Sequence, residues 1–285
     1  MTQRFVLITG ASRGLGEFLA HQFWASGFSL CLVARSEAGL HKVAASLPDR
    51  KGQQITVLAC DLGDPVSVVQ LAAKVKELLP SLEVLVNNAA IHGPIGPLWE
   101  NDFALWQQAI QVNLLAPVAL CRAFVPWIKE AGGGSIINLS GGGATGPRGN
   151  FSAYGAAKTA LVRFSETLAE ETKPLGIRVN CIAPGAMKTE MLGEVLEQGA
   201  NAAGEREFAI ASKVFAAGGA SMDSVANLAL FLASNKSNGI TGKLISAVWD
   251  DWEHWSDHQD ELASSDAYTL RRIAGRDRGF TWGDK

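Results

Sequence analysis

The feature that most restricts the fold of this chain is an alternation. Seven short apolar runs lie near 4–9, 28–34, 54–60, 82–87, 134–140, 176–182 and 243–247. Longer helix-like segments separate most of them, near 14–26, 37–47, 65–79, 103–129, 152–173 and 222–234. The short runs are continuous and rich in Val, Ile and Leu, as expected of strands covered on both faces; half-exposed strands would alternate. Strand and helix in strict succession imply a parallel sheet with right-handed crossovers. The sequence therefore predicts an α/β fold, a doubly wound parallel sheet with helices on both faces.

Two segments break the rhythm. Residues 186–220 contain no clear strand and are rich in Gly and Ala, so a mobile connection over the carboxyl edge of the sheet is expected there. Residues 248–285 follow the last run and hold four of the eight tryptophans. Acids fill the front of this tail (Asp250 to Glu261) and arginines the back (Arg271, Arg272, Arg276, Arg278). Trp249, Trp252 and Trp255 recur every third residue, roughly one helix face. The tail is expected either to cover a sheet edge or subunit interface, or to wall a substrate site. No repeat or low-complexity linker divides the chain. The organisation expected is one domain over 1–247 with an extension over 248–285.

A net charge of -3 gives no pull towards nucleic acid or an anionic membrane. No apolar run approaches the ~20 residues of a membrane span, and the apolar part of the N-terminus is too short for a signal peptide. Cys31, Cys60, Cys121 and Cys181 are scattered in apolar runs without metal-ligand or disulfide spacing, so buried thiols and a cytoplasmic chain are expected. His254 and His258 lie four apart among acids, but two histidines do not make a metal site, and none is expected.

The first run leads directly into Thr9-Gly10-Ala11-Ser12-Arg13-Gly14-Leu15-Gly16 and then a helix. Glycines at that turn allow a tight bend and close approach of backbone to phosphate, and the helix start offers free N–H groups to a pyrophosphate. At the end of the second run, NAD sites place a carboxylate and NADP sites a cation. The chain has Ala34-Arg35-Ser36 there, with Arg13 as a second cation, which favours NADP(H). Asp61, ending the third run, either binds the adenine or caps the strand end.

Tyr154 and Lys158 stand four residues apart, on one helix face. A free phenol has a pKa of about 10, and a nearby cation would lower it towards acid–base use. Asn113 lies four residues before Pro117, which has no N–H for the Asn113 carbonyl. A freed acceptor and a bend there suit the holding of a water.

The glycine turn, Asn87-Asn88-Ala89-Ala90, Asn113, Tyr154 with Lys158, and Pro184-Gly185 with Thr189 together resemble the short-chain dehydrogenase/reductase pattern, over residues 4–247. The resemblance implies a Rossmann fold of seven parallel strands ordered 3-2-1-4-5-6-7, and a homodimer or homotetramer. It implies Tyr154 as the acid/base, Lys158 on the nicotinamide ribose, Asn113 at a relay water, Thr189 on the carboxamide and Asn87 supporting the cleft. Cofactor contacts are implied at Gly10, Ser12, Arg13, Gly14, Leu15, Gly16, Arg35, Asp61, Leu62, Asn88, Tyr154, Lys158, Pro184, Gly185 and Thr189.

The chain departs from this pattern at one catalytic position. The family carries a serine thirteen residues before the tyrosine, and here that position is Gly141. Ser140 is adjacent, but successive strand residues face opposite ways, so it serves only if the glycine run turns it inward. Otherwise a backbone N–H, Thr145 or Ser152 must polarise the carbonyl. The function expected is NADP(H)-dependent interconversion of a small-molecule carbonyl and its alcohol. The alternatives are an impaired NADP(H)-binding protein, and an epimerase or dehydratase acting on a sugar. The Trp and Arg of the tail point to a polar substrate, sugar-like or phosphorylated.

Overall fold

A computed structural model describes residues 3–282. Its seven strands are β1 (Phe5–Thr9), β2 (Ser29–Ala34), β3 (Ile55–Ala59), β4 (Val84–Asn87), β5 (Gly134–Leu139), β6 (Ile177–Ala183) and β7 (Leu244–Ser246). All pair in parallel, in the order β3-β2-β1-β4-β5-β6-β7. Side chains along β1 divide strictly by parity. Val6 and Ile8 enter one hydrophobic layer with Leu19 and Phe23 of α1 (Gly14–Ala25), Leu40 of α2 (Glu37–Ser46) and Leu228 of α9 (Met222–Leu232). Phe5 and Leu7 enter the other, with Val75 of α3 (Pro65–Leu78), Phe124 of α5 (Ala116–Glu130) and Leu168 of α6 (Ser152–Thr172). Burial on both faces is why the strands read as unbroken apolar runs. Each fully buried Leu, Val or Phe contributes about 1.5–3 kcal/mol.

Helix starts follow from local chemistry. Ser36 accepts from Gly39 N, and Asp64 accepts from Val66 N and Ser67 N ahead of Pro65. Asp102 accepts from Ala104 N at the start of α4 (Phe103–Ile110). The segment expected to be one helix over 103–129 carries a π turn, Gln111–Leu115, between α4 and α5. Pro117 offers no hydrogen to the Asn113 carbonyl, and the helix widens by one residue there. The whole stretch Phe103–Glu130 is a 28-residue helix whose most apolar window has mean hydropathy 1.5. By length and composition it could span a bilayer, contrary to the expectation that no apolar run approaches that length. In this fold Leu120, Phe124 and Ile128 pack it onto the sheet.

Two expectations need correction. Residues 186–220, expected to be a mobile connection, hold two helices, α7 (Glu190–Ala203) and α8 (Glu205–Ala217), packed as a hairpin. Trp249, Trp252 and Trp255 do not share one helix face: Trp252–Asp257 is a 3-10 turn followed by the short α10 (Gln259–Ser264). Three residues per turn put Trp252 and Trp255 on one buried side, against Phe231 and Tyr268, while Trp249 is 86% exposed. The tail then covers the free edge of β7. Leu244 N donates to Tyr268 O, and the buried Lys243 Nζ donates to Ser265 O and Ala267 O. His254 pairs with Asp251 and His258 with Glu261, on separate partners.

Candidate active site

β1 and β4 are neighbours whose connections leave in opposite directions, so a crevice opens beyond their carboxyl ends. A cleft of about 1230 Å³ lies there. At its floor, Thr9 Oγ1 accepts from Asn88 N (3.0 Å) and Ala89 N (3.1 Å), and Asn88 Nδ2 donates to Thr9 O (2.9 Å). These bonds lock the β1 turn to the end of β4. A β-carbon at Gly16 would overlap the Gly10 carbonyl, so only glycine lets α1 start this close to the strand. Gly14 has a φ of +56° and open space where a β-carbon would point.

The amino end of α1 has no side-chain cap, unlike those of α2, α3 and α4. Its free N–H groups and positive dipole end belong to a turn that lines the cleft, the chemistry required to hold a pyrophosphate. By this observation the residues fit a dinucleotide. Of the sequence-predicted cofactor residues, Gly10, Ser12, Arg13, Gly14, Leu15, Gly16, Arg35, Asp61, Leu62, Asn88, Tyr154, Lys158, Pro184 and Thr189 all line this cleft. Gly185 instead forms a turn at φ +79° against Ala220 and Val248. Asp61 also caps locally, its Oδ1 accepting from Gly63 N at 2.9 Å. Arg35 is exposed at the end of β2, whereas Arg13 is already ion-paired across the cleft with Glu190 of α7.

Tyr154 and Lys158 project from α6 into the other end of the cleft, both buried. Lys158 Nζ donates to Leu139 O at 2.7 Å and lies 5.7 Å from the centroid of the Tyr154 ring. Burial pushes the Lys158 ammonium down to about 8. Burial raises the Tyr154 phenol, and the Arg148 guanidinium opposes that rise. The lowering expected from Lys158 is therefore not what this site displays: burial wins, and the opposing cation is Arg148, 5.7 Å over the ring.

Gly141 has a steric reason. A β-carbon there would stand 3.0 Å from Tyr154 Cζ and overlap the phenol oxygen. Tyr154 thus fills the space a serine side chain would need. Ser140 lines the same cleft, with its Oγ buried and without a hydrogen-bond partner among the described residues. Such an orphan is costly unless a ligand satisfies it.

Asn113 does not line the cleft. Fully buried in the π turn, it accepts from Ile91 N (2.9 Å) and donates to Ile91 O (2.7 Å), fixing the loop after β4. Asn87 is also buried, donating to Asn138 Oδ1 at 2.8 Å.

Two neighbours of Tyr154, His92 and Arg148, were missed in the sequence. His92 is buried edge-on to Tyr154 at 5.3 Å, with its Nδ1 3.1 Å from Glu194 of α7. Arg148 stacks on Phe151 and pairs with Glu207 of α8 at 2.7 Å. Only adjacency to known motifs could have drawn attention to them: His92 follows Asn87-Asn88-Ala89-Ala90, and Arg148 is the one cation of the glycine-rich 141–151 stretch.

Residues 4–200 match the family model described as short chain dehydrogenase. Dehydrogenase/reductase SDR family member 4 of Homo sapiens is 31% identical over 189 residues, 66% of this chain and 68% of that protein. The short chain dehydrogenase/reductase astE of Aspergillus oryzae is 30% identical over 246 residues, 85% of this chain and 92% of that one. Among solved structures, YwfH, an NADPH dependent reductase involved in bacilysin biosynthesis, aligns with a TM-score of 0.77 at 25% identity, covering 86% of this chain and 97% of that one. A short chain dehydrogenase from Salmonella enterica aligns with a TM-score of 0.74 at 28% identity, covering 87% and 96%. The chain is an oxidoreductase of the short-chain dehydrogenase/reductase family.

Proposed function

We propose that the chain is an NADP(H)-dependent oxidoreductase that interconverts a carbonyl and an alcohol, with Tyr154 as acid/base. The observation that carries this reading is the shared cleft, which joins the uncapped glycine turn and Arg35 at one end to Ser140, Tyr154 and Lys158 at the other. The dinucleotide, when bound, supplies or accepts the hydride. Tyr154 Oη gives its proton to the carbonyl oxygen in reduction and takes it back in oxidation. Ser140 Oγ, with no internal partner among the described residues, donates to the same oxygen in place of the serine that Gly141 lacks. Lys158 stays anchored on Leu139 O and faces the ribose, while Asn113 acts from behind the cleft by fixing the loop at Ile91. Arg35 receives the 2′-phosphate, and Arg13 reaches it on leaving Glu190. Thr189 contacts the carboxamide from the start of α7.

Gly141 favours one second reading, an NADP(H)-binding protein with impaired catalysis. NADPH and NADH consumption on a panel of diketones, aldehydes and keto-sugars separates the two. Turnover with NADPH, lost in Tyr154→Phe, supports the reductase; tight NADPH binding without turnover on any carbonyl supports the binding protein. The buried, unpaired cysteines support a cytoplasmic setting, and the exposed Trp99 and Phe103 support a homo-oligomer.

A further inference from the structure

The substrate end of the cleft has two chemistries. Ile91, Met187, Met191 and Phe215 supply an apolar wall. Along α7, Glu190, Glu194 and Glu197 also line the cleft, at positions i, i+4 and i+7 of one helix face. Glu190 is paired with Arg13 until that arginine turns to the 2′-phosphate, and His92 partners Glu194. Glu197 has no ion-pair or hydrogen-bond partner among the described residues and is exposed at the rim. Lys188, which also lines the cleft, is held on Phe215, with Nζ 3.3 Å from its carbonyl oxygen. No residue of the Trp- and Arg-rich tail lines the cleft among the described residues, which removes the ground for a phosphorylated substrate. The buried Ser140 Oγ, unpartnered beside Tyr154, marks where the substrate oxygen is received.

We infer that this site selects a carbonyl compound with an apolar body and no negative charge, and that Glu197 is a specificity determinant excluding anionic carbonyls. The inference rests on the oxidoreductase reading of the same cleft. A polyanionic dinucleotide in the cleft adds to the repulsion, and the low-dielectric walls focus it. Because Glu197 is exposed, its effect is moderate and screened by salt.

The test uses the full chain with NADPH and a matched pair of probes, ethyl benzoylformate and benzoylformate. They share the ketone and the ring but differ by one negative charge. Ester and acid differ in intrinsic reactivity, so the readout is the acid-to-ester ratio of kcat/KM, compared between proteins. Glu197→Lys is expected to raise that ratio about fivefold in dilute buffer, and high salt to shrink the gain by half or more. An unchanged ratio, with both probes turned over, overturns the inference while leaving the reductase reading intact. If neither probe is reduced, calorimetric binding to the NADP+-loaded Tyr154→Phe protein decides. Weak acid binding that recovers in Glu197→Lys upholds the charge selection even as the reductase reading falls. Acid bound as tightly as ester, or neither probe bound, overturns it.

Discussion

Gly141 and Tyr154 compete for one volume, and that competition explains the largest departure from the family pattern. Restoring the family serine is therefore expected to damage the site. Gly141→Ser should cost about 1–3 kcal/mol in urea unfolding, because the phenol must move. The cost should shrink in a Tyr154→Phe background, where the overlapping oxygen is gone; equal costs in both backgrounds would refute the steric account. Ser140→Ala should behave oppositely: stability within about 0.5 kcal/mol of wild type, since no internal bond is lost, but kcat lower by about a hundredfold. Lys158 carries a pH signature. Its folded pKa, about 8, lies below the ordinary lysine value, so the folded state binds fewer protons between pH 8 and that value. Stability from this group therefore rises as pH climbs through that window, and below pH 8 the buried charge is a constant penalty. The pH dependence of the urea midpoint should lose this rise in Lys158→Met. Tyr154 and Lys158 were legible in the sequence because helical spacing alone brings them together. His92 and Arg148 were not, because their partners are 102 and 59 residues away.

Among the elements, the α7–α8 hairpin is where local pattern misled most. Gly193, Gly199 and Gly204 lower helix propensity, Gly199 has φ +75° inside α7, and Gly204 turns the chain at φ +85°. Tertiary bridges supply what propensity lacks. Three side chains from three loops of the sheet's carboxyl edge grip the hairpin: Arg13 on Glu190, His92 on Glu194 and Arg148 on Glu207. The last is the most shielded pair and holds α8 directly. Arg148→Met is thus expected to speed amide hydrogen exchange across Glu190–Ala217 about tenfold or more, leaving β1 and β4 unchanged. Exchange altered equally throughout would mean that the pair supports the whole fold and not the hairpin. The strands and the first three helices were legible to within a residue or two, since burial on both faces and polar caps are local signals. The π turn was legible only as Pro117, because the widening is the helix's response to a missing hydrogen.

For the whole molecule, the tail matters most for what it closes. Its tryptophans were visible, but the third-residue spacing fits a 3-10 turn better than the helix face read from it, and its pairing with β7 is a contact no local pattern announces. Elsewhere the surface stays apolar: Leu98, Trp99, Phe103 and Leu105 are exposed around the start of α4, with Phe103 stacked on Trp106. Sedimentation is expected to give a dimer or tetramer, and Phe103→Asp to shift it towards monomer; a wild-type monomer would refute this. The cysteines offer a way to watch all of this move. Burial pushes Cys31, Cys121 and Cys181 up to about 12, and burial with the nearby Asp61 and Asp64 pushes Cys60 up to about 11. A thiol in that state does not alkylate while its surroundings stay closed. Cys31, Cys121 and Cys181 sit in β2, α5 and β6, so the native chain carries three silent reporters, while Cys60 at the end of β3 lines the cleft. Each reporter becomes reactive only when its own part of the structure opens.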